Sequence, residues 1–198
     1  MTDFLSESYW QERYDLHDTG WDMGIVSPPL KAYVDQLTDK NLAILIPGCG
    51  NSYEAEYLVS QGFTNITVID IAQGPVDRLN KVLGETGRQF CNVVKADFFT
   101  HSGQYDLIIE QTFFCALNPD LRKKYANHML ELLKPGGKIA GVLFKVIFEK
   151  PGPPFGGTIA EYKNIFEPGF NILKMEDCYN SHEKRAGNEA FIIMQKPK

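Results

Sequence analysis

The chain has 198 residues, of which 43% are hydrophobic and 23% are charged, a composition typical of one globular domain with a buried core. Its 20 Lys and Arg and its 25 Asp and Glu give a net charge of −5. This charge argues against a nucleic-acid partner, because proteins that bind nucleic acids usually present a basic face. No apolar run approaches the roughly 18–20 residues that span a bilayer, and the polar, acidic start MTDFLSESYW is unlike a signal peptide. The sequence therefore predicts a cytoplasmic protein without a membrane partner.

The cysteines and histidines are scattered along the chain. The 4 Cys and 4 His form no CxxC pair and no HExxH motif, so the sequence predicts reduced thiols and no metal site. The longest basic run, Arg122-Lys123-Lys124, is typical of a solvated helix face.

The chain begins with two predicted helices and then alternates strands with helices. Ser8 and Gln11 have capping-box spacing, which predicts a helix from Tyr9, and Ser27-Pro28-Pro29 predicts the start of a second helix. Thr158 and Glu161 form a second capping-box pair. The remaining predicted elements are strand 42–46, helix 53–61, strand 65–70, helix 73–83, strand 92–97, strand 105–111, helix 118–133, strand 138–144, helix 158–166, strand 170–179 and strand 189–196.

This alternation predicts a parallel sheet covered by helices on both faces. The last two predicted strands have no helix between them, and the intervening SHEKRAGN can form a hairpin. We therefore expect the final strand to run antiparallel.

Candidate ligand contacts follow the strands, at the edge of an open parallel sheet where ligands bind. The glycine loop after the first strand leaves backbone accessible to a ligand, beside the N–H groups of the next helix. An acid 20 residues further on matches the one that binds ribose hydroxyls in nucleotide-binding folds, and an acid beside an aromatic suits an adenine. These candidates are Gly48 and Gly50, Asp70, Asp97 with Phe98, and Glu110 with Gln111.

The glycine pair by itself fits an ordinary turn, a phosphate loop or a nucleotide contact. The P-loop pattern GxxxxGK[ST] is absent, and Tyr53 stands where a dinucleotide fingerprint has its third glycine. A loop without that glycine better suits a ligand that contains adenosine but no phosphates.

Several motifs resemble those of class I S-adenosylmethionine-dependent methyltransferases: LIPGCGNSYE, VIDIA, KADFF, YDLIIEQTFFCAL and LLKPGGKI. Pro47, together with QTFFCALNPDLR and GPPFGGTIAEY, is similar to the thiopurine S-methyltransferase family, and closest to its thiol, thiocyanate and halide methyltransferase branch. YWQERY…GWDMG is similar to that family's lid, and the resemblance extends over residues 9–196. It implies an α/β, Rossmann-like three-layer sandwich with a seven-stranded, mostly parallel sheet. It also implies one domain, 1–198, with an N-terminal helical lid segment, 1–40, and a catalytic core, 41–198.

The resemblance further implies S-adenosyl-L-methionine as cofactor and assigns its contacts. Gly48, with Gly50, would lie under the methionine part, Asp70 would bind the ribose, and Asp97 and Phe98 would frame the adenine. Gln111 would contact the amino-acid end, and Trp10, Tyr14 and Trp21 would close over the cofactor. The acceptor is expected around Trp21, Met23 and Phe155. Phe155 stands where halide- and thiocyanate-type members usually carry tyrosine, which argues against those anions as acceptors.

The expected activity is methyl transfer to a small soft nucleophile such as a thiol, thiopurine or thiocyanate, by a monomer or weak dimer. Two alternatives are a cofactor-binding regulatory protein without transfer activity and a nucleotide-dependent oxidoreductase, which Tyr53 disfavours. Asp22, Glu110 and Lys145 are candidates for favouring the ionised acceptor. Trp10, Trp21, Phe113 and Phe114 could instead pack in the core, and Phe155 could anchor its loop.

Overall fold

The computed structural model describes residues 4–198. Met1–Asp3, with which the predicted domain and lid segment begin, lie outside the described residues. The described chain forms a seven-stranded sheet. Its strands are β1 Ile44–Pro47, β2 Ile66–Asp70, β3 Cys91–Lys95, β4 Tyr105–Gln111, β5 Leu133–Phe144, β6 Asn171–Asp177 and β7 Glu189–Gln195.

The strand order is β3-β2-β1-β4-β5-β7-β6. Neighbouring strands from β3 to β5 pair in parallel, and β7 pairs antiparallel with both β5 and β6. The predicted α/β fold with an antiparallel final strand is therefore confirmed. The order reverses between β1 and β4, so the carboxyl ends of these strands border the crevice where such sheets bind ligands.

Six α-helices accompany the described strands: α1 Glu7–Asp15, α2 Pro28–Val34, α3 Tyr53–Ser60, α4 Gln73–Gly87, α5 Arg122–Leu132 and α6 Ile159–Phe166. The capping box of Thr158 and Glu161 is present at α6, with both reciprocal hydrogen bonds. At α1 the predicted cap is wrong, because the Ser6 hydroxyl accepts from Tyr9 N–H and the helix begins at Glu7.

The core lies on both faces of the sheet, because successive side chains of a strand point to opposite faces. Ile44 and Ile46 of β1 pack in a cluster with Leu30 of α2, whereas Leu45 packs in the opposite cluster with Tyr125 of α5. Both clusters are apolar, so β1 is a continuous apolar run. Within the predicted lid segment, α2 joins the core but α1 buries no residue.

Several element boundaries differ from the predictions, most clearly the start of β5. α5 ends at Leu132 and β5 begins at Leu133, before the Pro-Gly-Gly sequence that suggested a loop, since Gly136 at φ +78° lets the strand bend. Residues 73–87 are interrupted at Gly84, so the regular part of α4 ends where predicted.

Candidate active site

A cavity of about 770 Å³ opens at the carboxyl ends of the central strands, within the size range of small-molecule sites. Every cofactor contact implied by the sequence lines this cavity, as do Trp21 and Met23 from the predicted acceptor pocket. Phe155 is not part of the lining, although Pro153 and Pro154 of the same loop are. The structure thus brings together residues that are far apart in the chain, such as Trp10 and Gln111.

The glycine loop after β1 adopts left-handed backbone at three positions. Gly48, Gly50 and Ser52 have φ of +56°, +52° and +51°. A methyl group at Gly48 would lie 2.1 Å from Cδ2 of Phe113, and one at Gly50 would lie 3.3 Å from the Tyr14 hydroxyl. Glycine is therefore required at residue 48 both by the backbone conformation and by the close approach of Phe113.

Asp70 ends β2 with a carboxylate that is almost fully buried. Its Oδ2 accepts from Gly50 N–H at 3.0 Å, and its Oδ1 accepts from Ala72 N–H at 2.9 Å. Burial raises the pKa of this carboxyl, while the two N–H donors oppose the shift. Since an ionised carboxylate can accept about four hydrogen bonds, Asp70 holds the glycine loop and keeps accepting capacity toward the cavity.

Asp97 and Phe98 follow β3 in different environments. Asp97 is exposed and accepts from Phe99 N–H at 2.9 Å through Oδ1. Phe98 is buried, with its ring 5.1 Å from that of Phe113 and 4.8 Å from that of His128. This wall of the cavity therefore offers a carboxylate at its rim and an aromatic surface behind it.

The segment 4–25 covers the cavity with aromatic side chains. The rings of Trp10 and Tyr14 meet the Trp21 ring edge-on at 5.7 and 5.6 Å. The segment is fastened by Asp22, which accepts from Asn51 and Tyr53, and by Gln11, which accepts from Gly74 N–H at 2.9 Å. α1 buries no residue. The segment 4–25 is therefore held over the cavity by these polar contacts and ring pairs and not by burial of α1 in the core.

Phe155 acts through its backbone rather than through the cavity. Its N–H donates to Cys115 O at 2.7 Å, and its carbonyl accepts from Arg122 at 3.2 Å. Arg122 also donates to Gly156 O at 2.8 Å and is buried, so its prediction as solvated surface is wrong. Lys123 and Lys124 are exposed as predicted. Arg122 therefore anchors the loop whose Pro153 and Pro154 line the cavity.

The three candidates for favouring an ionised acceptor have different surroundings. Asp22 lines the cavity but already accepts from Asn51, Tyr53 and Gly24. Glu110 is fully buried behind the wall, and Lys145 pairs with Asp177 at 2.6 Å. Of these, Asp22 alone lies in the lining.

The chain is similar in sequence to known proteins over nearly its whole length. The model of the thiopurine S-methyltransferase family matches residues 5–196. The chain belongs to this family. Probable thiol methyltransferase 2 of Arabidopsis thaliana is 30% identical over 188 residues, covering 93% of this chain and 83% of the relative. Thiocyanate methyltransferase 1 of the same plant is 27% identical over 190 residues, covering 93% and 83%.

Among solved structures, the Burkholderia thailandensis 1,6-didemethyltoxoflavin-N1-methyltransferase with bound S-adenosylhomocysteine has a TM-score of 0.77 and 16% identity, over 97% of this chain and 87% of that one. This likeness confirms the Rossmann-like fold. As a member of its family, the chain is an S-adenosylmethionine-dependent methyltransferase. Neither an oxidoreductase nor a regulatory protein without transfer activity is supported.

The cavity of this methyltransferase fits S-adenosylmethionine on the chemistry of its wall. Gln111 Oε1 and Ser52 Oγ are buried without a hydrogen-bond partner among the described residues, and both residues line the cavity. Buried polar atoms are normally satisfied, so these two oxygens are available to a polar ligand beside the glycine loop. No group of three or more metal-ligating side chains occurs within residues 4–198, and no helix there is long and apolar enough to cross a membrane.

Phe113 and Arg185 line the methyltransferase cavity but were not singled out as site residues from the sequence. Phe113, which could have been core, is half-buried and lines the cavity against Gly48, whereas Phe114 is core. Arg185 lies in the predicted hairpin SHEKRAGN yet is 7% exposed and lines the cavity. Arg185 donates to Glu189 four residues later and to Trp21 O, which is 164 positions away, and this second partner is not evident from the local sequence.

Glu110 should make the stability of this methyltransferase depend on pH. Burial raises the pKa of its carboxyl from 4.5 to about 7. As pH rises through this window the unfolded chain releases the proton first, so this contribution to stability is present below about pH 4.5 and lost by about pH 7. Urea unfolding across this pH range should show a fall in the free energy of unfolding of the wild type that is absent in Glu110→Gln. The same pH dependence in both proteins would contradict the role of Glu110 in this fall.

Proposed function

We propose that this methyltransferase transfers the methyl group to a small soft nucleophile, a thiol or a related sulfur compound. The observation that carries the proposal is a buried guanidinium in the cavity wall. Arg185 lines the cavity, with its guanidinium 5.3 Å from the centroid of the Phe144 ring. Apolar side chains from three segments line the same cavity: Met23, Ile25, Leu117, Leu121 and Phe148. Relatives named for thiol, thiocyanate and thiopurine methylation support a sulfur acceptor.

We propose that the cofactor lies across the ends of β1 to β4. Gly48 and Gly50 would hold the methionine part, Asp70 the ribose, and Asp97 with Phe98 the adenine. The partnerless Oε1 of Gln111 supports a contact with the ammonium of the amino-acid end, because an amide oxygen accepts hydrogen bonds. When bound, S-adenosylmethionine supplies a methyl group already activated by its sulfonium.

The residues around the acceptor then have two tasks, which are to orient the nucleophile and to exclude water. Trp10, Tyr14 and Trp21 would close over the cavity as part of the proposed lid segment, 1–40, which covers the proposed catalytic core, 41–198. A thiolate needs no strong base, and the guanidinium of Arg185, whose charge is shared with Glu189 at 3.3 Å, would favour the ionised form of a thiol beside it. Asp22 is committed to the fastening of the lid, so we assign no general base.

The acceptor is accordingly a small molecule, and we propose that the enzyme works in the cytoplasm as a monomer or weak dimer without nucleic acid. Its 4 free cysteines support a reducing compartment. We retain Trp21 and Met23 in the acceptor pocket. Phe155 is retained as a residue that positions its loop, because its backbone bonds to Cys115 and Arg122 and it is not part of the cavity lining.

Methyl transfer from labelled S-adenosylmethionine to a panel of acceptors tests the proposal. The panel comprises organic thiols, hydrosulfide, a thiopurine, thiocyanate and iodide, with phenols and amines as the hard-nucleophile arm. We expect turnover of sulfur acceptors and none of phenols or amines. Turnover confined to oxygen or nitrogen acceptors would overturn the sulfur assignment while leaving the family membership intact.

Arg185→Gln should weaken acceptor binding more than cofactor binding. Arg185 Nη1 lies 3.3 Å from Glu189 Oε1, and Nη2 donates to Trp21 O at 2.5 Å. Loss of its charge should raise the KM for thiols about tenfold, the effect of one charge-assisted contact, with cofactor affinity changed less than about twofold.

Lys184→Gln is the matched control, since Lys184 lines the same cavity but is exposed. It should change the KM for thiols little, because an exposed charge is screened by solvent. Equal effects of the two substitutions would contradict a specific role for Arg185.

A further inference from the structure

The turn that follows β4 carries three side chains of the cavity wall in a conformation that it would not adopt by itself. Gln111, Thr112 and Phe113 line the cavity. Thr112 has φ +60°, in the left-handed region that a β-branched residue strongly disfavours. Such strain persists only where the surrounding structure imposes it, so the residues that impose it control this wall.

The side chain of Glu110 satisfies the backbone of this turn. Its Oε1 accepts from the N–H groups of Phe113 at 2.8 Å and Phe114 at 2.9 Å. Its Oε2 accepts from the hydroxyl of Tyr125 on α5. Glu110 is 1% exposed and does not line the cavity, so these contacts account for its accepting groups without any contact to a ligand.

Glu110 is itself held from the opposite side by β5. A methyl group at Gly141 would lie 2.4 Å from Glu110 O and 2.5 Å from its Cβ, so β5 packs directly against the backbone and Cβ of Glu110. The Cys115 thiol adds a contact within the turn, donating to Thr112 O at 3.2 Å. The titratable groups facing Glu110 are thus the Tyr125 hydroxyl and the Cys115 thiol.

The position of this turn determines the position of two residues of the cofactor site, Phe113 and Gln111. Phe113 lies against Gly48, with no space for a methyl group between them, and its ring is 5.1 Å from that of Phe98. Gln111 presents its partnerless Oε1 from the residue before the strained one. A small rotation of the turn would therefore displace both the ring over the glycine loop and the amide oxygen.

We propose that Glu110, supported by Tyr125, is a positioning residue that sets the turn 111–114 and thereby the affinity for the cofactor. It acts through Gln111 and Phe113 and touches neither cofactor nor acceptor. The buried carboxylate of Glu110 accepts hydrogen bonds from the backbone N–H groups of the strained turn. The hydroxyl of Tyr125 fixes the orientation of that carboxylate.

The test compares Glu110→Gln and Tyr125→Phe by calorimetry with S-adenosylhomocysteine. We expect Glu110→Gln to raise the Kd about tenfold and Tyr125→Phe about threefold, as expected for disturbing a buried hydrogen-bond network. Tyr162→Phe is the matched control, because Tyr162 is equally buried and its hydroxyl donates to Phe144 O on β5 and not to Glu110, while the ring that packs 5.5 Å from Phe114 is kept. It should lower the melting temperature but change the Kd less than about twofold.

A pH series separates positioning from a general loss of stability. The ionised carboxylate is the stronger acceptor, so the wild type should bind S-adenosylhomocysteine more weakly at about pH 6 than at about pH 8, and Glu110→Gln should show no such difference. Unchanged Kd values in both Glu110→Gln and Tyr125→Phe, or an equal rise in Tyr162→Phe, would overturn the proposal. Should Glu110→Gln not fold, Tyr125→Phe against Tyr162→Phe decides it, and none of these measurements depends on the acceptor.

Discussion

Gly48→Ala is expected to remove cofactor binding, with the Kd for S-adenosylhomocysteine raised by at least about 100-fold. Gly48 has φ +56°, where an L-residue costs about 1–2 kcal/mol. Its added methyl group would meet three atoms of the Phe113 ring between 2.1 and 2.9 Å. Either the ring moves into the cavity or the glycine loop moves away from it, and both changes disturb the surface on which we place the methionine part. Calorimetry with S-adenosylhomocysteine measures the effect.

Two other glycines separate the clash from the backbone strain. Gly62 has φ +84° with no atom within 4 Å of an added methyl group, so Gly62→Ala should lower stability by about 1–2 kcal/mol without a change in Kd. Gly50→Ala would place a methyl group 3.3 Å from the Tyr14 hydroxyl, which is a milder clash. Its Kd for S-adenosylhomocysteine should lie between those of Gly62→Ala and Gly48→Ala. If Gly48→Ala bound the cofactor as tightly as Gly62→Ala does, the proposed position of the methionine part would be wrong.

Asp70→Ala is expected to weaken cofactor binding by about 1–3 kcal/mol, the loss of charge-assisted hydrogen bonds to a ligand. The structure adds a second expected effect. Asp70 accepts from Gly50 N–H at 3.0 Å and Ala72 N–H at 2.9 Å, so its removal leaves two donors without their acceptor. The glycine loop should loosen, and urea unfolding should show a lower free energy of unfolding in addition to the weaker binding measured by calorimetry.

Asp70→Asn helps to separate these two effects. Its amide oxygen can replace one acceptor, whereas its NH₂ group would face a backbone N–H, so it should recover part of the stability and little of the affinity. Asp77→Ala, at an exposed acid on α4, is the control for a lost negative charge and should change neither quantity appreciably. An unchanged Kd in Asp70→Ala would mean that Asp70 serves the loop alone and that the ribose is held elsewhere.

Local patterns predicted the elements well where one physical signal acted by itself. The cap at Thr158 needed only Glu161 three residues later, and both hydrogen bonds are present. The cap at Ser8 failed because Ser6, two residues earlier, offers its hydroxyl to the same helix end. β5 began at Leu133 and not at the predicted Lys138, because pairing with β4 extends the strand back across the Pro-Gly-Gly sequence. Competing local signals and strand pairing thus limit what a pattern can predict.

The sequence by itself determined the alternation of strands and helices, the antiparallel last strand and the chain positions of the cofactor candidates. These follow from hydrophobic periodicity and from the rule that parallel strands end at one edge of a sheet. Tertiary structure alone decided that Phe113 lies over Gly48, that Arg122 and Arg185 are buried, and that Glu110 supports a strained turn from behind the cavity wall. The reason is that burial and hydrogen-bond partners depend on residues distant in the chain: Arg185 meets Trp21 across 164 positions, a separation that no local pattern encodes.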